Sequence, residues 1–333
     1  MVQYYNALIG VALGDMMGLY YEGLSAKSIA KKEDDFLAPQ LLLGKGVFSD
    51  DTEHSVIVAQ CLTESFDDLE RFEQLLRKRL QKWLFSLPAG VGFATLRGVV
   101  RSFFISQSGV FSAGNAPAMR AHLIGLLYGD DNKLKKFVKV NTYITHTDPK
   151  AYFGALVVAK ASYLFAKHQE DRLWVWIEKN IQDREFQTLI SQVRKHLHIT
   201  TKEFAKVLGV EQGVSGYIYH TLPIALHSAY RHKDNLKAAI VTVIECGGDT
   251  DTVAAITGGI VGSRGGELPQ KWIECIADYP INQKFMQKLM HQFEEMVKSK
   301  KSQKAPKVLW ISSFMRNIIF LVVVLVSALR RVF

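Results

Sequence analysis

Along almost the whole chain, apolar residues return every three or four positions. Ser55–Leu62 (SVIVAQCL), Ala151–Ala166 (AYFGALVVAKASYLFA) and Asn235–Gly247 (NLKAAIVTVIECG) keep that spacing, which is the period of a helix with one face turned inward. Alternating runs that would mark half-buried strands are scarce, and the breaks between helical runs carry Gly, Asp, Asn and Pro. The pattern predicts an all-α protein. Small residues crowd AAITGGIVGS (Ala254–Ser263), where missing side chains let neighbouring helices come close, so this helix is expected in the interior.

No fixed period repeats, although SDDT (Ser49–Thr52) and DTDT (Asp249–Thr252) echo each other chemically. From Phe293 to Lys307 the chain turns charged, then basic, and meets Pro306. The expected organisation is one compact multi-helix domain over 1–296, a basic linker over 297–307 and an apolar tail helix over 308–333. The apolar centre of that tail, Ile318–Leu329, would span about 18 Å as a helix, against a hydrocarbon core of roughly 30 Å. Arg316 stands at one end and the pair Arg330 and Arg331 at the other. Two readings fit: an interfacial helix whose arginines snorkel at a membrane surface, or a helix packed on the domain or across a dimer.

Composition narrows the class. A chain of 333 residues with 48% hydrophobic content has material for a sizeable core. The net charge of +9 is scattered in helical registers, as in RFEQLLRKRLQKW (Arg71–Trp83), a pattern of solvated helix faces rather than of a nucleic-acid interface. Cys61, Cys246 and Cys275 form neither a CxxC pair nor a metal spacing with histidine, which fits small buried residues in a reducing compartment. Met1–Gly14 lacks a basic n-region and runs straight to Asp15, so no secretory signal is read there. The expectation is a cytoplasmic protein, which the tail, in its interfacial reading, would attach to the inner face of a membrane.

The candidate chemistry lies in the acidic clusters. CGGDTDT (Cys246–Thr252) and SDDT each look like a helix start, where Asp, Ser and Thr serve as caps and carboxylates favour the positive end of the helix dipole. One cap needs one oxygen, whereas each cluster gathers two carboxylates and two hydroxyls within four residues. Uncompensated, Asp50 beside Asp51 and Asp249 near Asp251 repel, and a divalent cation removes that cost. All-oxygen donors without His or Cys point to Mg²⁺, Mn²⁺ or Ca²⁺ rather than Zn²⁺. Two such clusters suggest a binuclear site. In GVALGDMMGLYYEG (Gly10–Gly23), Asp15 and Glu22 would share one face of a continuous helix, and Gly14 and Gly18 mark a close approach. Asp15 suits a cap or a hydrogen bond to another helix, and Glu22 a functional carboxylate. SAGNAPAMRA (Ser112–Ala121) puts Gly114 and Asn115 before a helical pattern, where backbone N–H groups can meet phosphate oxygens. THTDP (Thr145–Pro149) places His146 near a helix start, as a cap, a core hydrogen-bonder or a cleft residue.

GDMMG with Glu22 downstream, SDDT, SAGNAPAMR, THTDP, SGYIYHTLPIAL (Ser215–Leu226) and CGGDTDT occur together and in order. In this the chain, over about 1–296, resembles the ADP-ribosylglycohydrolases of the dinitrogenase-reductase-activating type. The resemblance implies an all-α fold whose central cleft holds two Mg²⁺ or Mn²⁺ ions, ligated by Ser49, Asp50, Asp51, Asp249, Asp251 and Thr252. It implies Glu22, Asp51 or Asp249 as general acid or base, and His146 with the loop Gly114, Asn115, Ala116, Pro117, Ala118, Met119 and Arg120 as substrate-binding residues. The implied activity is hydrolysis of the bond between ADP-ribose and a protein side chain or small acceptor. The chain departs from the family's usual GNG at Ala116: if that position needs positive φ, alanine costs roughly 1 kcal/mol and crowds a phosphate. An ADP-ribose-binding regulatory protein with weak turnover is the alternative.

Overall fold

The computed structural model describes residues 2–32, 36, 38–42, 44–129 and 131–332, and for 131 and 325–332 the backbone alone. Every element among them is helical, and extended pairing is confined to isolated bridges such as Ser25 with Gly247 and Val214 with Gly248. The principal helices are α1 (Val2–Gly18), α2 (Asp50–Ser65), α3 (Leu69–Leu84), α4 (Ala116–Met119), α5 (Pro149–Ala166), α6 (Ile218–Arg231), α7 (Leu236–Ile244), α8 (Thr250–Ser263), α9 (Gln283–Ser299) and α10 (Trp310–Val332).

At the centre α1 packs along α8, with α2, α5, α6, α7 and α9 around the pair. Every residue of α8 is buried, as the small-residue run predicts. Glycine permits the contact: a methyl group on Gly14 would lie 2.1 Å from the Ala254 carbonyl oxygen, and one on Gly18 would lie 2.6 Å from the Asp251 Cα. The backbones therefore touch, and Asp15 on α1 is delivered to the N-terminal end of α8. Peripheral helices follow amphipathic rules instead. In α3, Asp68 caps the start by accepting from the Arg71 N–H, and Phe72, Leu76, Leu80 and Trp83 form the buried stripe while Arg71, Lys78 and Lys82 face out.

Two expectations are corrected here. Asp15 and Glu22 do not share a helical face, because α1 ends at Gly18, the chain tightens into a 3-10 turn over Leu19–Tyr21, and Glu22 follows in extended conformation with ψ 130°. The second concerns the tail, where among the described residues no helix is long and apolar enough to cross a membrane. Arg316 of α10 does not snorkel. It packs against the domain with its side chain 11% exposed, donating to Asp278 and to the Phe48 carbonyl, with Glu53 3.6 Å away. Asn317 beside it is fully buried and donates to the Ser86 carbonyl at 2.9 Å. The side chains of Arg330 and Arg331 lie outside the described residues.

The segment read as a basic linker begins within α9 and then runs along α2. The Gln303 N–H donates to the Thr63 carbonyl at 2.8 Å, Gln60 Nε2 donates to the Pro306 carbonyl at 2.7 Å, and Ala305 is buried. Its lysines are solvated while its backbone docks.

Candidate active site

The C-terminal end of α1 and the N-terminal ends of α2 and α8 meet at one point. Asp15, fully buried, accepts from the Ser49 N–H at 2.9 Å, the Thr52 N–H at 3.0 Å and the Thr52 hydroxyl at 2.6 Å. It thus caps α2 from another helix, while Ser49 Oγ accepts from the Asp51 N–H at 3.2 Å. With the cap supplied in this way, Asp50 and Asp51 are not needed for it. Asp249 occupies the N-cap position of α8 and makes no cap hydrogen bond. Its carboxylate accepts instead from Asn115 Nδ2 at 2.6 Å.

The glycine pair ahead of Asp249 fixes its position. Gly247 and Gly248 have φ of 71° and 87°, where a side chain would be strained. Their backbone is stitched on both sides: Gly23 N–H to Gly248 O, Gly248 N–H to Leu24 O, Val214 N–H to Gly247 O and Asp249 N–H to Val214 O, at 2.7–2.9 Å.

The result is a concentration of buried negative charge. Oxygens of Asp15, Asp51 and Asp251 lie within 4.8 Å of one another. Burial pushes all three carboxyls above their usual range, Asp15 to about 6. Neighbouring carboxylates add to the shift, Asp15 and Asp50 acting on Asp51, and Glu22 and Asp51 on Asp251. Asp50 is raised likewise by burial, then by Asp15 and Glu53. Asp51 Oδ2 accepts from the Ser49 hydroxyl at 3.0 Å and the Thr252 hydroxyl at 3.2 Å, but Oδ1 is buried with no hydrogen-bond donor. A buried carboxylate oxygen lacking a donor, among others of like charge, fits a cation. The donors are hard oxygens, so the set can hold a metal ion of the Mg²⁺, Mn²⁺ or Ca²⁺ kind.

Above this cluster opens a cleft of about 560 Å³. Glu22, Ser49, Asp50, Asp249, Asp251 and Thr252 line it, and so do Gly114, Asn115, Ala116, Met119 and His146. Pro117, Ala118 and Arg120 do not. Arg120 is buried beneath the floor and spends its guanidinium on Asn141, Thr145 and His54 at 2.9–3.0 Å. Its expected role in substrate binding is therefore corrected to a structural one. His146 bonds the Thr145 hydroxyl through Nδ1 at 2.9 Å, and burial, with Arg120 nearby, lowers it to about 3, so the ring is neutral. Ala116 opens the short helix α4 and is absent from the non-glycine positions with positive φ.

Reading the sequence assigns Asp15 to capping and misses its place in the acidic cluster, though the GDMMG motif contains it. It also misses Phe93, Thr95, Phe320 and Val324 among the residues lining the cleft, since nothing local marks residues that only tertiary packing brings to a site.

The sequence profile of the ADP-ribosylglycohydrolase family matches residues 3–303. The chain belongs to that family. An uncharacterized protein of Archaeoglobus fulgidus is 27% identical over 304 residues, covering 88% of this chain and 97% of that one. ADP-ribosylhydrolase ARH3 of Gallus gallus is 25% identical over 343 residues, covering 85% and 91%. Among solved structures, an ADP-ribosylglycohydrolase-related protein complex superposes with a TM-score of 0.71 at 21% identity over 89% of this chain and 98% of that one; this shows a shared fold. Membership supports hydrolysis of ADP-ribosyl linkages as the family's chemistry.

Proposed function

We propose that this protein is a metal-dependent hydrolase that cleaves the glycosidic bond between ADP-ribose and a protein side chain or small acceptor. The observation that carries the reading is the buried acidic cluster of Asp15, Asp51 and Asp251, in which Asp51 Oδ1 has no hydrogen-bond donor and Asp251 lines the cleft. Ser49, Asp50, Asp51, Asp249, Asp251 and Thr252 would hold one or two Mg²⁺ or Mn²⁺ ions. When bound, such ions offset the carboxylate charge and polarise oxygen groups of the substrate.

The chain's own groups divide the remaining work. Asp15, with its oxygens saturated by α2, fixes the start of that helix. Asn115 ties the loop 114–116 to Asp249, so that loop and carboxylate move together. Loss of the acceptor leaves a cationic sugar centre, and the negative floor of the cleft favours that charge. Of Glu22, Asp51 and Asp249, Glu22 alone is solvent-exposed on the cleft wall, where it can exchange protons with water. It is suited to accept the proton of the attacking water. The neutral His146 can accept or donate a hydrogen bond to the ligand without adding charge.

The backbone-strain argument for a binding protein with weak turnover falls away, because Ala116 is helical. The test is release of ADP-ribose from arginine- and serine-modified substrates, with EDTA and with added Mg²⁺ or Mn²⁺. Release that stops with EDTA and returns with metal is expected on at least one substrate. Metal-independent release, or none alongside tight ADP-ribose binding, would overturn the reading.

A further inference from the structure

Helix α10 lies beyond the segment that the family profile covers, yet Phe320 and Val324 line the same cleft as Ser49, Asp50 and Asp251. Arg316, Phe320 and Val324 are spaced by four, so they share one face of the helix. That face is held firmly. The Arg316 guanidinium lies 4.5 Å from the Phe320 ring centroid and bonds Asp278 and the Phe48 carbonyl. The Phe48 N–H donates to the same Asp278 carboxylate at 2.8 Å, and Phe48 directly precedes Ser49. Asn317 anchors the other side through Ser86. The helix is thus tied to the chain that leads into the acidic cluster, and Phe320, 5% exposed, is fixed rather than swinging at the mouth.

We propose that Phe320 and Val324 are specificity-determining residues: an apolar wall that sets how much room the cleft leaves for the group attached to ADP-ribose. The proposal rests on the hydrolase reading. The carboxylates recognise polar and cationic groups, whereas an apolar wall offers only shape, so trimming it admits bulkier acceptors and filling it rejects them. A difference of one side chain at such a wall shifts discrimination by about tenfold.

The full-length chain is assayed with two substrates, an ADP-ribosylated protein and a small ADP-ribose conjugate, comparing their kcat/KM ratio. Phe320→Ala is expected to move the ratio about tenfold towards the protein substrate, and Val324→Trp to move it in the opposite direction, with Mn²⁺ affinity unchanged in both. Ratios within twofold of the unaltered chain in both variants would overturn the wall alone. Val324 is only half-buried, so Val324→Trp decides the matter by itself should Phe320→Ala fail to fold. An unaltered chain inactive on both substrates would bring down the hydrolase reading and, with it, this role.

Discussion

Two clusters of buried charge sit close to the start of α2, and they are built on opposite principles. Around Arg316 opposite charges are paired: its guanidinium faces Asp278 and Glu53, and Trp83 Nε1 donates to Glu53 at 2.6 Å. Around Asp51 they accumulate. Asp15, Asp50, Asp249 and Asp251 surround it, and one of its oxygens has no donor. Both clusters lie in a low-dielectric interior, where an isolated charge costs several kcal/mol. A chain that completes one cluster from its own side chains and leaves the other incomplete is using the first to hold its shape and the second to hold a ligand.

The sharpest way to break the contrast is to remove charge from the incomplete cluster. Asp51→Asn is expected to lower ADP-ribose release by about three orders of magnitude, the scale of losing a group central to the transition state. Its effect on stability should have the opposite sign. Burial and neighbouring carboxylates raise the Asp51 carboxyl in the folded state, so at neutral pH the ionised form is held at a cost, and a neutral amide relieves it. Unfolding followed with EDTA present should therefore show a higher Tm for the variant, whereas added Mn²⁺ should raise only the unaltered protein. A lower Tm in EDTA would mean that the cluster is compensated within the chain after all.

Arg316→Met turns the complete cluster into an incomplete one. It leaves Asp278 and Glu53 buried without their cation, and about 3–5 kcal/mol of stability should be lost, read by denaturant unfolding. Adding Asp278→Asn to it should recover a large part. If Arg316→Met cost less than about 1 kcal/mol, the tail would be resting on the domain rather than bonded into it.

These clusters also show what was legible beforehand. The acidic residues next to helix starts are readable from SDDT and DTDT, because caps and ligands alike must sit there, and the all-α architecture follows from periodicity that tertiary packing reinforces. Gly14 and Gly18 correctly mark a close helix approach. What fails is pairing at a distance. Asp15 reads as a cap and is one, but its place within reach of Asp51 and Asp251 depends on the backbone contact between α1 and α8. Arg316 reads as a flanking arginine beside an apolar run, since its partners Glu53 and Asp278 lie 263 and 38 positions away in the chain. Arg120 enters the substrate loop only through the family resemblance, and the packing of Asn141, Thr145 and His54 around it shows it turned inward.

The smallest expected effect concerns the loop beside the cluster. In Ala116→Gly the chain regains the glycine that the family pattern carries. Had Ala116 been held at positive φ, that change would relieve strain and stabilise the fold. Ala116 instead stands at the first position of α4, followed by Pro117 and with no positive φ. Glycine there adds conformational freedom to the unfolded chain without relieving anything, so a loss of about 0.5–1 kcal/mol is expected. The methyl group still faces the cleft, so the substitution separates strain from crowding: ADP-ribose affinity measured by calorimetry should change by less than about threefold if the ligand clears Cβ. A gain of tenfold or more would show that the alanine side chain, rather than its backbone, restricts the site.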